Sequence, residues 1–253
     1  MDILVQGAHD LGFDLTPRQV EQFQLYFTTL VDWNSRMNLT SITELEAVQV
    51  RHFLDSLTVG AALVAELSGP PPKQGFWLAD IGTGAGFPGV PLKILWPHIT
   101  LHLADSVGKK TTFLKELCTV LGLRGVEVYT ARAEEMGQDR KHRGRYNAVV
   151  ARAVASLPVL CEYCLPLAKV GGYFLAPKKG DISQEVLESK KAGPILGGRG
   201  PRLHTFTLPT ESDSRFVVVF QKMKATSPMY PRRVGLAKSH PLGAAPTPQD
   251  EAR

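Results

Sequence analysis

Between residues 76 and 191, short apolar runs alternate with stretches of helical periodicity, and that alternation leaves few architectures open. FWLADIG, ITLHLAD, VEVYTA, YNAVVARA and GGYFLAPK read as strands. Residues 90–95 and 113–121, SLPVLCEYCLPLA and ISQEVLESKK read as helices. Strands joined through a helix pair in parallel, and a parallel sheet must be covered on both faces, which is why its strands are apolar almost throughout. RLHTFTL and RFVVVFQK break the rhythm, because only the turn-rich PTESDS separates them. They predict an antiparallel hairpin at the sheet edge.

The expected fold class is therefore α/β. Its pattern is that of class I methyltransferases: a Rossmann-like, seven-stranded, mainly parallel sheet ending in an antiparallel hairpin. Fold by itself names no chemistry. Residues 1–68 carry only helical signals. Thr16 followed by Pro17 is a cap and a proline at the first helical position. Val20, Phe23, Phe27, Leu30 and Val31 then follow at spacings of three and four. A second apolar helix is expected at about residues 52–67, and SGPPPKQG interrupts the pattern as a linker. Three segments result: a helical extension (1–68), a methyltransferase domain (75–223) and a basic, proline-containing tail (224–253) expected to be loose.

The 253 residues suffice for one well-buried domain plus an extension, and 43% hydrophobic with 21% charged residues is ordinary globular composition. No apolar run reaches the roughly 20 residues of a spanning helix. MDILVQGAHDLGFDL lacks the features of a secretory signal, so a cytoplasmic location away from membranes is expected. Cys161 and Cys164 form a CxxC, but no second ligand pair completes a zinc site, and they fall at helical spacing with Leu157, Leu160 and Leu165. Buried structural cysteines are expected. The net charge of +5 is compatible with a polyanionic partner. RKHRGR at residues 140–145 is either a solvated loop or a phosphate-contacting one. The chain after Gln221 also gathers Lys222, Lys224, Arg232, Arg233, Lys238 and Arg253 against Asp250 and Glu251.

The motif that carries chemistry is LADIGTGAGFPG, residues 78–89, which follows a strand and opens a helix. Gly82, Gly84 and Gly86 let backbone approach a ligand closely. Their spacing is GxGxG. A dinucleotide fingerprint would require glycine where Phe87 stands, to bring pyrophosphate onto the helix N-terminus. S-adenosylmethionine has no phosphate and tolerates the bulkier residue. Asp105 ends the next strand, 19 residues after Gly86, where a carboxylate can hold both hydroxyls of a ribose. The glycines and Asp105 together also suit a nicotinamide dinucleotide.

DIGTGAGFPGVPL, ADSVGKKTTFLKEL, TARAEE and VVARAVA resemble the RsmG (GidB) family, which methylates N7 of a guanine in 16S ribosomal RNA. WNSRMNLTSI and RHFLDSL upstream, and GGYFLAPKKG and YPRRVGLAKSHPL downstream, extend the resemblance over roughly residues 30–242 in the family's order. The resemblance implies S-adenosylmethionine as cofactor and 16S rRNA or the small ribosomal subunit as partner, with the enzyme a monomer. It implies that Gly82 and Phe87 line the methionine end of the cofactor site, with Gly84 and Gly86 shaping the turn. Asp105, Ser106 and Val107 would hold the ribose and adenine edge, and Ala133 and Glu134 would contact adenine. Arg152 would sit beside the reacting methyl group as a positioning residue, and Asn38, His52, Asp55 and Ser56 would close the pocket or meet RNA. Asn147 stands where the family pattern leads one to expect Asp, removing a charge near the start of the fourth strand.

Guanine N7 has an in-plane lone pair and no proton to remove, so positioning supplies most of the help. The sequence lacks the (N/D)PP(Y/F) tetrad of exocyclic-amine enzymes, reading ARAV instead, and lacks a cysteine after proline of the cytosine-C5 kind. Arg132, Lys178, Lys179, the RKHRGR loop, Arg232 and Arg233 are the expected phosphate contacts, with Tyr230 a candidate to stack on the base. The competing readings are a methyltransferase of small molecules or proteins, a Rossmann oxidoreductase, and a non-catalytic RNA-binding module.

Overall fold

The computed structural model describes residues 1–243. Thr16 caps α2 (Pro17–Asn34), which follows α1 (Asp2–Asp10). The Gln19 amide accepts from the Thr16 backbone at 2.8 Å, a reciprocal box that satisfies the first free donors of the helix. A loop leads to α3 (Leu45–Val48), which runs through a π-helical turn (Gln49–Leu54) into α4 (Asp55–Leu67). The expected second helix is thus present, but its entry is a widened turn, a device common at functional sites. His52 lies in that turn.

The alternating pattern then builds β1 (Trp77–Ile81), α5 (Gly89–Leu95), β2 (Thr100–Asp105), α6 (Gly108–Val120) and β3 (Val126–Thr130). It continues through α7 (Ala133–Gln138), β4 (Tyr146–Val150), α8 (Leu157–Cys164), β5 (Ala168–Lys179), α9 (Ser183–Ile195), β6 (Gly198–Phe206), β7 (Arg215–Lys222) and α10 (Leu236–Ser239). The strand order is β3-β2-β1-β4-β5-β7-β6. β1 to β5 run parallel, and β7 inserts antiparallel between β5 and β6, as the unbroken RLHTFTL–RFVVVFQK pair predicts.

Because side chains alternate across a strand, each strand feeds two cores. Leu78, Val150, Leu175 and Val219 face one side, where Phe23, Tyr26, Leu30, Phe53 and Leu57 of the N-terminal helices cover them. Ala79, Val149, Phe174 and Phe220 face the other, against Leu157, Leu160 and Cys161 of α8. Residues 1–68 are therefore one covering layer of the sheet. The three cysteines are free and buried, and burial pushes their thiols up, Cys118 to about 11.

The described part of the tail, residues 224–243, departs from the expectation of a loose segment. Arg143 of the RKHRGR stretch donates to the carbonyls of Gly137, Thr226, Ser227 and Tyr230 at 2.7–2.9 Å, holding the tail on the domain. Gln138 Nε2 donates to Pro231 O at 2.7 Å. These anchors are side chain to backbone, so the scarcity of apolar residues did not reveal them. Asp250, Glu251 and Arg253 lie outside the described residues. Asn147 Oδ1 accepts from Trp77 N at 3.0 Å, tying the start of β4 to that of β1. An aspartate oxygen would accept the same bond, so the departure at this position is structural.

Candidate active site

The strand order reverses direction between β1 and β4, and at such a switch point a crevice opens beyond the C-terminal strand ends. The glycine loop leaves β1 there. Gly82 N and Thr83 N donate to Ala104 O at 2.8 and 3.1 Å, pinning the loop to β2. Gly82 has φ +68°, and a Cβ on it would stand 2.4 Å from Val154 Cγ2. Gly86 has φ +98°, and its Cβ would stand 2.7 Å from the Tyr26 hydroxyl. Both positions need glycine for backbone angle and for space.

Beneath the loop, Asp80 Oδ2 accepts from Thr83 Oγ1 at 2.7 Å and Gly89 N at 2.8 Å. Its Oδ1 has no partner, and burial raises the carboxyl to about 6. A raised folded-state pKa means stability present below the unfolded value and lost as pH rises through about 6. Asp80→Asn keeps an acceptor oxygen for both hydrogen bonds and removes the buried charge. We expect the ligand-free variant to gain on the order of 2 kcal/mol over wild type between pH 4 and 7, followed as Tm against pH. Parallel Tm curves for the two proteins would refute this. An unmatched buried carboxylate also fits a cationic ligand above it, since charge buried without a partner is costly.

A cavity of about 430 Å³ lies over the loop, lined by Gly82, Gly84, Phe87, Asp105, Arg152 and Val154 among others. Asp105 accepts from Gly84 N at 3.0 Å through Oδ2 and from Val107 N at 2.9 Å through Oδ1. Each oxygen keeps a lone-pair site for a hydroxyl donor. A smaller cavity of about 130 Å³ shares Gly82, Asp105, Ser106 and Val154 with the first and adds Ala133, Glu134 and Gly235. Glu134 is buried and accepts from Gly235 N at 3.1 Å, so the tail forms one wall.

Phe87 anchors the other side. It stacks on Tyr26 at 5.1 Å between centroids and on His52 at 4.5 Å, with the Arg152 guanidinium 4.8 Å from its centroid. Tyr26 donates to Ala85 O at 2.6 Å, fixing the loop from below. Arg152 donates to Asp55 Oδ2 at 2.9 Å. Burial and the neighbouring Arg152 lower His52 to about 3, so the ring is neutral at physiological pH. His52, Arg152 and Ala153 also line a further cavity of about 560 Å³, rimmed by Arg51, Lys178, Lys179, Glu211, Asp213 and Arg215. A larger cavity, about 1050 Å³, lies between α2 and α6 around Gln22, Lys93 and Cys118, and contains none of the glycine loop. Size therefore does not mark the site.

The structure gathers Gly82, Gly84, Phe87, Asp105, Ser106, Val107 and Arg152 around one cavity, with Arg132, Ala133 and Glu134 around its smaller neighbour. His52, Asp55, Lys178 and Lys179 line the third. Gly86 faces the core against Tyr26, Val90 and Leu114. Ser56 is fully buried, its hydroxyl donating to His52 O at 2.5 Å, so it does not meet a substrate. Asn38 is exposed on the loop after α2 and lines neither the cofactor-side nor the adjoining cavity. Arg232 is held by Glu162 and is not a free phosphate contact, whereas Arg233 is exposed. Tyr230 packs on the α8-side core. Sequence reasoning missed Arg51, Glu211, Asp213 and Arg215; the first adjoins His52 in RHFLDSL, and the acids lay in a segment read only as a turn.

Sheet order, glycine loop and Asp105 define the class I methyltransferase fold. Among solved structures, geranyl diphosphate methyltransferase in complex with SAM aligns with TM-score 0.51 at 13% identity over 67% of this chain and 86% of that one. A mutant of MtNAS in complex with S-adenosylmethionine aligns with TM-score 0.51 at 14% identity over 82% and 72%. A family model described as "GidB: rRNA small subunit methyltransferase G" matches residues 19–210. The proteins named ribosomal RNA small subunit methyltransferase G from Exiguobacterium sp. and Roseiflexus sp. are 46% and 47% identical to this chain. The alignments cover 94% and 96% of this chain and 97% and 100% of theirs. The chain belongs to the rRNA small subunit methyltransferase G family.

Proposed function

We propose that this protein transfers a methyl group from S-adenosylmethionine to N7 of a guanine in 16S ribosomal RNA, with the small subunit or its precursor as substrate. The observation that carries the reading is the junction at Arg152: one side chain borders both the glycine-loop cavity and a second, strongly charged cavity. Bound S-adenosylmethionine supplies an electrophilic methyl group on a sulfonium. Asp105, oriented by the Gly84 N–H, presents the carboxylate for its ribose, and the unpaired Asp80 oxygen supplies negative charge below the loop. Arg152, ion-paired to Asp55 and laid over Phe87, keeps the shared wall in place. His52 is neutral and hydrogen-bonded to Thr40 at 2.8 Å, and the acceptor nitrogen has no proton to give up, so alignment is the chain's main task.

Exposed Arg132 and Arg233 are among the cations available to RNA phosphates, which set register without reading sequence. Among the described residues no helix is long and apolar enough to cross a membrane. A ribosomal substrate supports a cytoplasmic location. The test is methyl transfer from labelled S-adenosylmethionine to small subunits lacking the native modification, with nucleoside identification. Label in 7-methylguanosine at one site is expected. Transfer only to small amines, phenols or proteins would replace this reading.

A further inference from the structure

The charged side chains around the second cavity are almost all paired with one another. Arg152 and Arg215 hold Asp55 at 2.9 and 3.3 Å. Arg51 and Arg215 hold Glu211, each at 2.7 Å. Lys178 is bound to Glu185 at 2.7 Å and to Ala155 O at 2.9 Å. Two lining charges have no such partner among the described residues: the Asp213 carboxylate and the Lys179 ammonium. They are neighbours in the fold, because Lys179 ends β5 opposite Arg215, two residues after Asp213. An opposite pair left open in a wall where every other charge is matched is available to a polar ligand.

We propose that Asp213 and Lys179 select guanine at the methyl acceptor position, Asp213 accepting from N1–H and the 2-amino group and Lys179 donating to O6. The proposal rests on the RNA-methylating function given above. Guanine's Watson–Crick edge reads acceptor, donor, donor, which is the complement of one ammonium beside one carboxylate. Adenine places an amino donor before the ammonium and a bare ring nitrogen before the carboxylate, a mismatch at both contacts. Methylation at N7 also leaves the purine cationic, so a carboxylate on its far edge stabilises the charge as it develops. The pair sits beyond the wall of Arg152, His52 and Ala153, which leaves N7 to face the glycine-loop cavity.

The experiment uses the full chain, Asp213→Asn and Lys179→Met, and small subunits reconstituted with 16S rRNA carrying guanosine or inosine at the methylated site. Inosine keeps N7, O6 and N1–H but lacks the 2-amino group. Asp213 is exposed and its carboxylate has no partner among the described residues, so its variant is expected to retain wild-type Tm and cofactor affinity. With guanosine, Asp213→Asn is expected to lower kcat/KM about 10–30-fold, the scale of one or two charge-assisted hydrogen bonds at a partly wet site. Inosine is expected to cost the wild type about 10-fold and the variant nothing further, the signature of a shared contact. Lys179→Met is expected to slow both substrates alike, because both keep O6.

Simple electrostatics predicts the opposite sign: removing a negative charge near RNA would tighten binding and speed transfer. Equal or faster transfer by Asp213→Asn would overturn the proposal, as would an inosine penalty undiminished in that variant. Failure of the wild type to form any 7-methylguanosine would instead overturn the parent reading, and this inference with it.

Discussion

Asp105→Ala is expected to weaken S-adenosylmethionine binding about 300-fold, on the scale of two charge-assisted hydrogen bonds at about 1.5–3 kcal/mol each. Asp105 is 6% exposed, and both of its oxygens face backbone donors of the site. Removing the carboxylate takes away the acceptor for a ribose and also frees Gly84 N, so the loop loses one of its tethers to the end of β2 and keeps those to Ala104 O. Asp105→Asn should fall between, because one acceptor oxygen survives and the charge does not. Calorimetric titration of the three proteins measures the effect, with Tm as a check on folding. An alanine variant within 3-fold of wild-type affinity would remove Asp105 from the binding site.

Arg232→Ala is expected to destabilise the fold by about 3–5 kcal/mol, the range for stripping the partner from a buried charge. Glu162 is fully buried in α8, and Arg232 supplies both a backbone and a bidentate side-chain contact, the closest at 2.6 Å. With about 2–4 °C per kcal/mol in a domain of this size, Tm should drop by roughly 10 °C. Adding Glu162→Gln should recover part of the loss, since no unpaired charge then remains. The salt dependence of RNA binding should respond to Arg233→Ala and not to the Arg232/Glu162 double variant, because Arg232 is already neutralised within the protein. The adjoining basic residues of the tail therefore have different roles, one structural and one facing solvent. A Tm within 2 °C of wild type for Arg232→Ala would show that the pair does not hold the tail.

The same tail segment walls the smaller cavity, which under the proposed function takes the adenine of the cofactor. Gly235 donates to Glu134, and Val234, Gly235 and Lys238 line the small cavity with Ala133. Arg143, Gln138 and Glu162 fix the segment that carries them. A stretch without apolar periodicity is placed here by ionic and backbone hydrogen bonds, so its order was not legible in its composition.

The sequence alone determined the seven strands, the helices between them other than α7 (Ala133–Gln138), the terminal hairpin, the glycine loop and Asp105. These follow from periodicity, from backbone angles that favour glycine, and from a strand end at fixed spacing, all of which act within a few residues of chain. Tertiary structure alone decided the partners. Arg152 meets Asp55 from 97 residues away, Arg51 meets Glu211 from 160, and Arg232 meets Glu162 from 70. A charge carries no periodic signature of its mate, so a sequence shows which cations exist but not which remain free. By sequence Arg232 is a candidate phosphate contact, yet it is internally paired, while Asp213 lies in a turn and only the fold shows its carboxylate without a partner among the described residues.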